Sequence, residues 1–149
     1  MVPRILMFVI ATLCCVANAQ TGEDASARKI QALLASMFDK PDSKVVADPV
    51  VVVGEHAIAS WTQGEAGGRA LLQRKDGEWK LVACGGDGLK DAKALEQAGI
   101  PRNSAAKLVQ QLAVSERSVP EARRKRFDLF GPTVDAAAMH RPGAHGPAH

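Results

Sequence analysis

The sequence predicts an α+β fold: an N-terminal helix, a four-stranded antiparallel meander, three further helices and a disordered tail. Two observations carry this. Between Ala27 and Phe38 the apolar residues Ile30, Leu33, Leu34, Met37 and Phe38 recur at the i, i+3, i+4, i+7, i+8 spacing of an amphipathic helix. From Lys44 to Gly85 the pattern changes to valine-rich runs divided by turn signals at Gly54-Glu55, Gly64 to Gly68 and Asp76-Gly77.

The first helix has Thr21 or Asp24 as candidate caps and ends at Lys40-Pro41. The runs define strands at 44–53, 57–63, 69–74 and 78–84, and their short connections leave no room for crossovers, so the sheet should be antiparallel. Gly85, Gly86, Asp87 and Gly88 break it. Asp87 is placed to cap a helix carrying Leu89, Ala92 and Leu95, closed by Gly99 and Pro101. Asn103 or Ser104 caps the next, with Leu108, Val109 and Leu112 on its apolar face. Ser118 and Glu121 read as a capping box for a last helix bearing Phe127 and Phe130 and stopped by Gly131-Pro132. Residues 132–149 have almost no apolar bulk and cannot repay the entropy of ordering.

The N-terminus reads as a secretory signal. Arg4 precedes an apolar run from Ile5 to Ala17 and the small-residue triplet Ala17, Asn18, Ala19. That run is too short to span a bilayer as a helix, for which about 20 residues are needed. Cleavage is expected after Ala19, giving a periplasmic protein with no transmembrane segment, a single domain over 20–131 and a tail over 132–149. A lipoprotein anchor at Cys14 or Cys15 is disfavoured, because Thr12 and Leu13 stand where a lipobox needs a small residue. Removing the signal leaves Cys84 as the only thiol, so no intramolecular disulfide staples the fold.

Loss of Arg4 lowers the formal charge from +3 to +2, spread without a basic stripe. With four Phe, two Trp and no Tyr there is no stacking surface for bases, and nucleic acid is set aside as a partner. No nucleophile or acid/base pair is patterned around Ser60, Ser104 or His56, so a binding protein rather than an enzyme is expected.

The strongest chemical signal is the tail, where Met139, His140, His145 and His149 recur within eleven positions. Imidazole suits copper, zinc and nickel, and a thioether adds preference for Cu(I). The competing reading is a solvated low-complexity segment whose histidines have no role. Two further residues complete the candidate metal ligands. His56 lies at the tight connection of the first two strands, where a histidine is commonly just exposed, and Cys84 closes the fourth strand, where a lone cysteine commonly packs as a small apolar residue. Trp61 and Trp79 are expected to pack against the first helix. Gly67-Gly68-Arg69 and Gly85-Gly86-Asp87-Gly88 lack the Gly-Lys-Ser/Thr of a phosphate-binding Walker loop. The run Arg123, Arg124, Lys125, Arg126 reads as a solvated helix face, with docking to an acidic partner or an anionic membrane surface as the rival.

One set of segments is distinctive as an ordered whole: the valines before Gly54, Ala59-Ser60-Trp61-Thr62-Gln63-Gly64, Gly67-Gly68-Arg69-Ala70-Leu71-Leu72, Asp76-Gly77-Glu78-Trp79 and Cys84-Gly85-Gly86-Asp87-Gly88-Leu89. In these the chain resembles the copper uptake system-associated proteins, small exported bacterial proteins. The resemblance runs from the first helix to about Phe130 and implies a copper context, with copper-transport proteins of the inner membrane as partners, but no ligand set. The helix-then-sheet layout is also similar to cystatin-like and NTF2-like folds, which host enzymes and binders alike. The leading expectation is a periplasmic accessory protein that binds or hands on copper. The alternatives are an envelope protein-interaction module with an incidental histidine tail, and an NTF2-like enzyme with a polar pocket under the first helix.

Overall fold

The computed structural model describes residues 18–139; the apolar segment through Ala17 that reads as a signal, and His140, His145 and His149, lie outside the described residues. Helix α1 (Asn18–Phe38) leads into strands β1 (Val46–Val53), β2 (His56–Gln63), β3 (Ala66–Lys75) and β4 (Glu78–Gly85). A 3-10 turn (Asp87–Lys90) and helices α2 (Ala92–Gln97), α3 (Arg102–Arg117) and α4 (Glu121–Arg126) follow, and then a short strand β5 (Val134–Asp135) and a helical turn α5 (Ala136–Met139). The sheet is antiparallel throughout and runs in chain order from β1 to β5.

The four expected strands are present, joined by two-residue turns. At Asp76-Gly77 both residues have positive φ, 53° and 79°, the geometry whose twist matches that of the flanking strands. The fifth strand is a correction: β5 pairs with β4 through Ala83↔Asp135 and Cys84↔Val134, inside the stretch expected to be a disordered tail. Two residues carry no periodicity, and backbone pairing with an exposed sheet edge orders them without apolar bulk.

The helix starts differ as well. Thr21 and Asp24 fall inside α1 rather than at its cap. The expected helix from Asp87 divides at Asp91, whose carboxylate accepts the Lys93 N–H at 2.9 Å and caps α2. Pro101 and Pro120 occupy the N-caps of α3 and α4 without a side-chain bond, and Ser118 is the C-cap of α3, so no capping box forms. Proline supplies the extended backbone of a cap residue there in place of a hydroxyl.

Alternation along the strands divides the core in two. Ala57, Ala59, Ala70, Leu72, Trp79 and Cys84 meet Ile30 and Leu34 of α1. Val51, Ile58, Leu71 and Ala83 point the other way, against Leu95, Ile100, Ala105, Leu108 and Leu112 of the α2–α3 region. The result is three layers, helix, sheet and helices. Trp61 and Trp79 both belong to the α1 side, as expected.

Candidate functional site

Cys84 is 2 % exposed at the end of β4, facing α1. Burial alone pushes its thiol up to about 12, which keeps it protonated and unreactive at neutral pH. Its strand partner in β5 is Val134, five residues before Met139, where α5 ends. The donor-bearing segment read from the sequence therefore follows directly on an element fixed beside Cys84.

Above Cys84 the α1 side is not fully packed. Leu34 and Cys84 form the buried floor of a cavity of about 120 Å³, and Phe38, Val45, Trp61, Gln63 and Phe130 form its half-buried rim. Trp61 and Phe130 meet edge to face, ring centres 5.9 Å apart. Gln63 donates both amide bonds outward from the cavity wall, to the carbonyls of Phe38 at 2.7 Å and Ser43 at 2.9 Å. Two of the rim residues close on Gly68, where an added Cβ would stand 2.8 Å from Cβ of Phe130 and 3.0 Å from Cζ2 of Trp61. The NTF2-like alternative calls for a pocket of convergent polar groups beneath the first helix; the cavity on that side is instead lined by apolar groups apart from one amide and one neutral thiol.

His56 sits on the opposite face of the sheet, beside Gln73, Leu71 and Val82 and the Ala98–Ile100 loop. Burial lowers its pKa, and neighbouring Glu55 works weakly against that. The structure does not bring His56 and Cys84 together: β2 and β4 are separated by β3, and the two side chains leave the sheet on different sides. Among the described residues no three His, Cys, Asp or Glu side chains cluster as metal ligands. Of the tail donors, Met139 closes α5 and the three histidines lie outside the described residues.

The polar centre of the molecule was not foreseen from sequence. Arg69, 1 % exposed on β3, makes a two-pronged pair with Glu116 of α3, Nε to Oε1 and Nη2 to Oε2, both at 2.8 Å. Its Nη1 donates to Asp128 at 2.8 Å and to the carbonyls of Gly86 and Phe127 at 3.1 and 3.3 Å. Ser60 Oγ–H donates to Glu116 at 2.6 Å. Burial works against the charge of Arg69, but the carboxylates of Glu116 and Asp128 outweigh it and raise its pKa. Partial burial likewise acts to raise the Asp128 carboxyl, and hydrogen bonds from Arg69 and its neighbours bring it below its ordinary range. A signal for this site existed: Glu116 continues the Leu108, Leu112 row on the buried face of α3, and Arg69 shares its strand face with Leu71.

Both glycine-rich segments are filled by the chain itself. A Cβ on Gly67 would lie 2.6 Å from the Arg126 carbonyl oxygen, one on Gly85 2.6 Å from Thr133 Oγ1, and one on Gly86 2.9 Å from the Asp128 oxygen. Residues 126–133 thus run as a strap over the ends of β3 and β4. The basic run is partly spent in the same way. Arg123 reaches Val46 O, Asp48 and Thr62 and stacks over Phe127, Arg126 donates to the Gly64 carbonyl at 2.9 Å, and Lys125 pairs with Glu121. That is a correction to a wholly solvated helix face: strand β1 and the β2–β3 turn offer carbonyls within reach of the long side chains.

These features define a small three-layer α+β protein with an antiparallel sheet, a buried ionic centre and one apolar cavity on its α1 side. No helix among the described residues is long and apolar enough to cross a membrane. Comparison with protein-family models, with curated proteins and with solved structures gives no match.

Proposed function

We propose that this is an exported accessory protein of copper uptake or homeostasis, which takes up the ion on Met139, His140, His145 and His149 and hands it to copper-transport proteins of the inner membrane. One observation carries the reading: a strip of imidazole and thioether donors follows an element, β5–α5, that is paired to the sheet edge. Soft thioether and borderline imidazole ligands together suit both oxidation states of copper. The resemblance of the Val50–Gly88 region to copper uptake system-associated proteins supports the same context. Cys84 and His56 are left out of the proposed ligand set, Cys84 because its proton is held by burial and His56 because it lies across the sheet from Cys84.

Titration with Cu(I) against a chromogenic chelator, and with Cu(II), tests the proposal. The protein should compete for copper, and the variant His140→Ala, His145→Ala, His149→Ala should lose that competition while keeping its unfolding midpoint. Equal copper affinity in the two proteins, or affinity no better than that of an unrelated histidine-bearing protein, refutes it.

A second reading, a protein-interaction module of the envelope, is favoured by the edge strand β1. Val50, Val51 and Val52 line an open cleft of about 520 Å³ between Glu23, Asp24 and Ala27 of α1 and Gln110, Gln111, Val114 and Ser115 of α3. No strand among the described residues pairs with that side of β1. An added strand from a partner would complete it. Partner binding that survives loss of the histidines but is abolished by Val52→Pro would favour this reading over the first.

A further inference from the structure

The geometry points to a binding site for a small uncharged aromatic or similarly compact apolar molecule in the cavity between α1 and the sheet, floored by Leu34 and Cys84. Protein interiors pack as densely as organic crystals, and an unfilled apolar void costs stability in proportion to its volume. Here the void is about 120 Å³, and two of its rim residues close on a glycine: a side chain at Gly68 would collide with Phe130 and Trp61 and displace the rim. A water needs only about 10–15 Å³ but also two to four polar partners. The lining supplies almost none, since the amide N–H groups of Gln63 are already given to Phe38 and Ser43. Apolar cavities of about 150 Å³ in other proteins stay dry and take up benzene; this one is somewhat smaller, and its half-buried rim lets the edge of a single ring face solvent.

The rim sets the class of occupant. Trp61 and Phe130, in edge-to-face contact with each other, present aromatic surface to a ring beside them, and Phe38 and Val45 also line the rim. No charged side chain lines the cavity, so an ionised ligand would lose its hydration without compensation. Gln63 Oε1 is left as an acceptor for one hydroxyl. The site is independent of the tail donors and does not require copper.

Toluene, phenol and benzoate are the probes, added to the full chain. Toluene and phenol should raise the unfolding midpoint saturably and benzoate should not. Toluene methyl protons should show cross-relaxation to the rings of Trp61 and Phe130 in the unmodified protein. Val45→Phe fills the cavity from its rim and Cys84→Leu from its floor, and each should abolish the toluene shift. The inference is overturned by the absence of any shift with toluene and phenol, by cross-relaxation confined to other side chains, by an equal response to benzoate, or by a toluene shift that persists in both folded variants. Because the cross-relaxation is read on the unmodified protein, loss of folding in either variant does not rescue or sink the result. Failure of copper binding leaves this outcome unaffected.

Discussion

Replacing Glu116 by alanine should remove a large share of this protein's stability. Arg69 and Glu116 side chains are 1 % and 7 % exposed and joined by two bonds of 2.8 Å. Without Glu116 the guanidinium keeps Asp128 and two carbonyls, but its Nε–H and Nη2 lose their acceptors in the interior and Ser60 Oγ–H loses its own. Stranding one partner of a buried pair costs about 3–5 kcal/mol, against a total stability of about 5–15 kcal/mol for a domain. Removing both charges is a different perturbation. Arg69→Met with Glu116→Leu strands no buried charge, since Asp128 is 40 % exposed and keeps Lys90 at 3.3 Å, and should cost much less than either single change, because apolar replacements of buried pairs are often neutral or better. Urea unfolding followed by the fluorescence of Trp61 and Trp79, extrapolated linearly, gives the four corners of the Arg69→Met, Glu116→Leu cycle, with Glu116→Ala measured beside them. A loss below about 1 kcal/mol for Glu116→Ala, the size found for exposed pairs, would refute the idea that this pair is buried and structural.

Cys84 should react with a disulfide reagent at pH 8 only at the rate at which the α1 layer opens, so sub-denaturing urea should accelerate modification; prompt stoichiometric reaction in plain buffer would contradict its burial. His56 has a lowered folded pKa, so the unfolded chain takes up its proton first as pH falls. Its contribution is complete above the ordinary histidine value of about 6.5 and is lost as pH drops below it toward the folded value. His56→Gln should therefore flatten the fall in stability between pH 7 and 5, and an unchanged slope would count against the shift. Gly67→Ala places a Cβ 2.6 Å from the Arg126 carbonyl oxygen and should cost about 1–3 kcal/mol by overpacking, whereas Gly22→Ala, with nothing near, should raise helix stability slightly; denaturation midpoints of the pair read the difference.

The sheet was legible because two signals coincide in it, valine-rich runs and turn residues suited to positive φ, as at Asp76-Gly77. The amphipathic stripe of α1 was equally plain, and Ile30 and Leu34 are indeed its fully buried residues. Helix starts were less so, since Pro101 and Pro120 take cap positions that hydroxyl and acidic residues advertised. β5 was invisible because two exposed residues are held by hydrogen bonds to β4, an interaction with no side-chain signature. The ionic centre was missed for another reason. Arg69 and Glu116 are 47 positions apart, and each looks like a surface residue until its register is set: Glu116 one helical turn past Leu112, Arg69 two residues before Leu71. The glycine segments, set aside in the sequence as phosphate loops, have their role in packing: residues 126–133 lie against them.

The pairing of Val134 with Cys84 has a geometric consequence for any ion held on the C-terminal donors. A polypeptide extends by at most about 3.3–3.6 Å per residue. His149 is ten positions beyond Met139, so its Cα stays within about 35 Å of that anchor. Adjacent strands lie about 4.8 Å apart, so this reach exceeds the width of the five-stranded sheet, and chain length alone leaves a recipient free to approach from either margin.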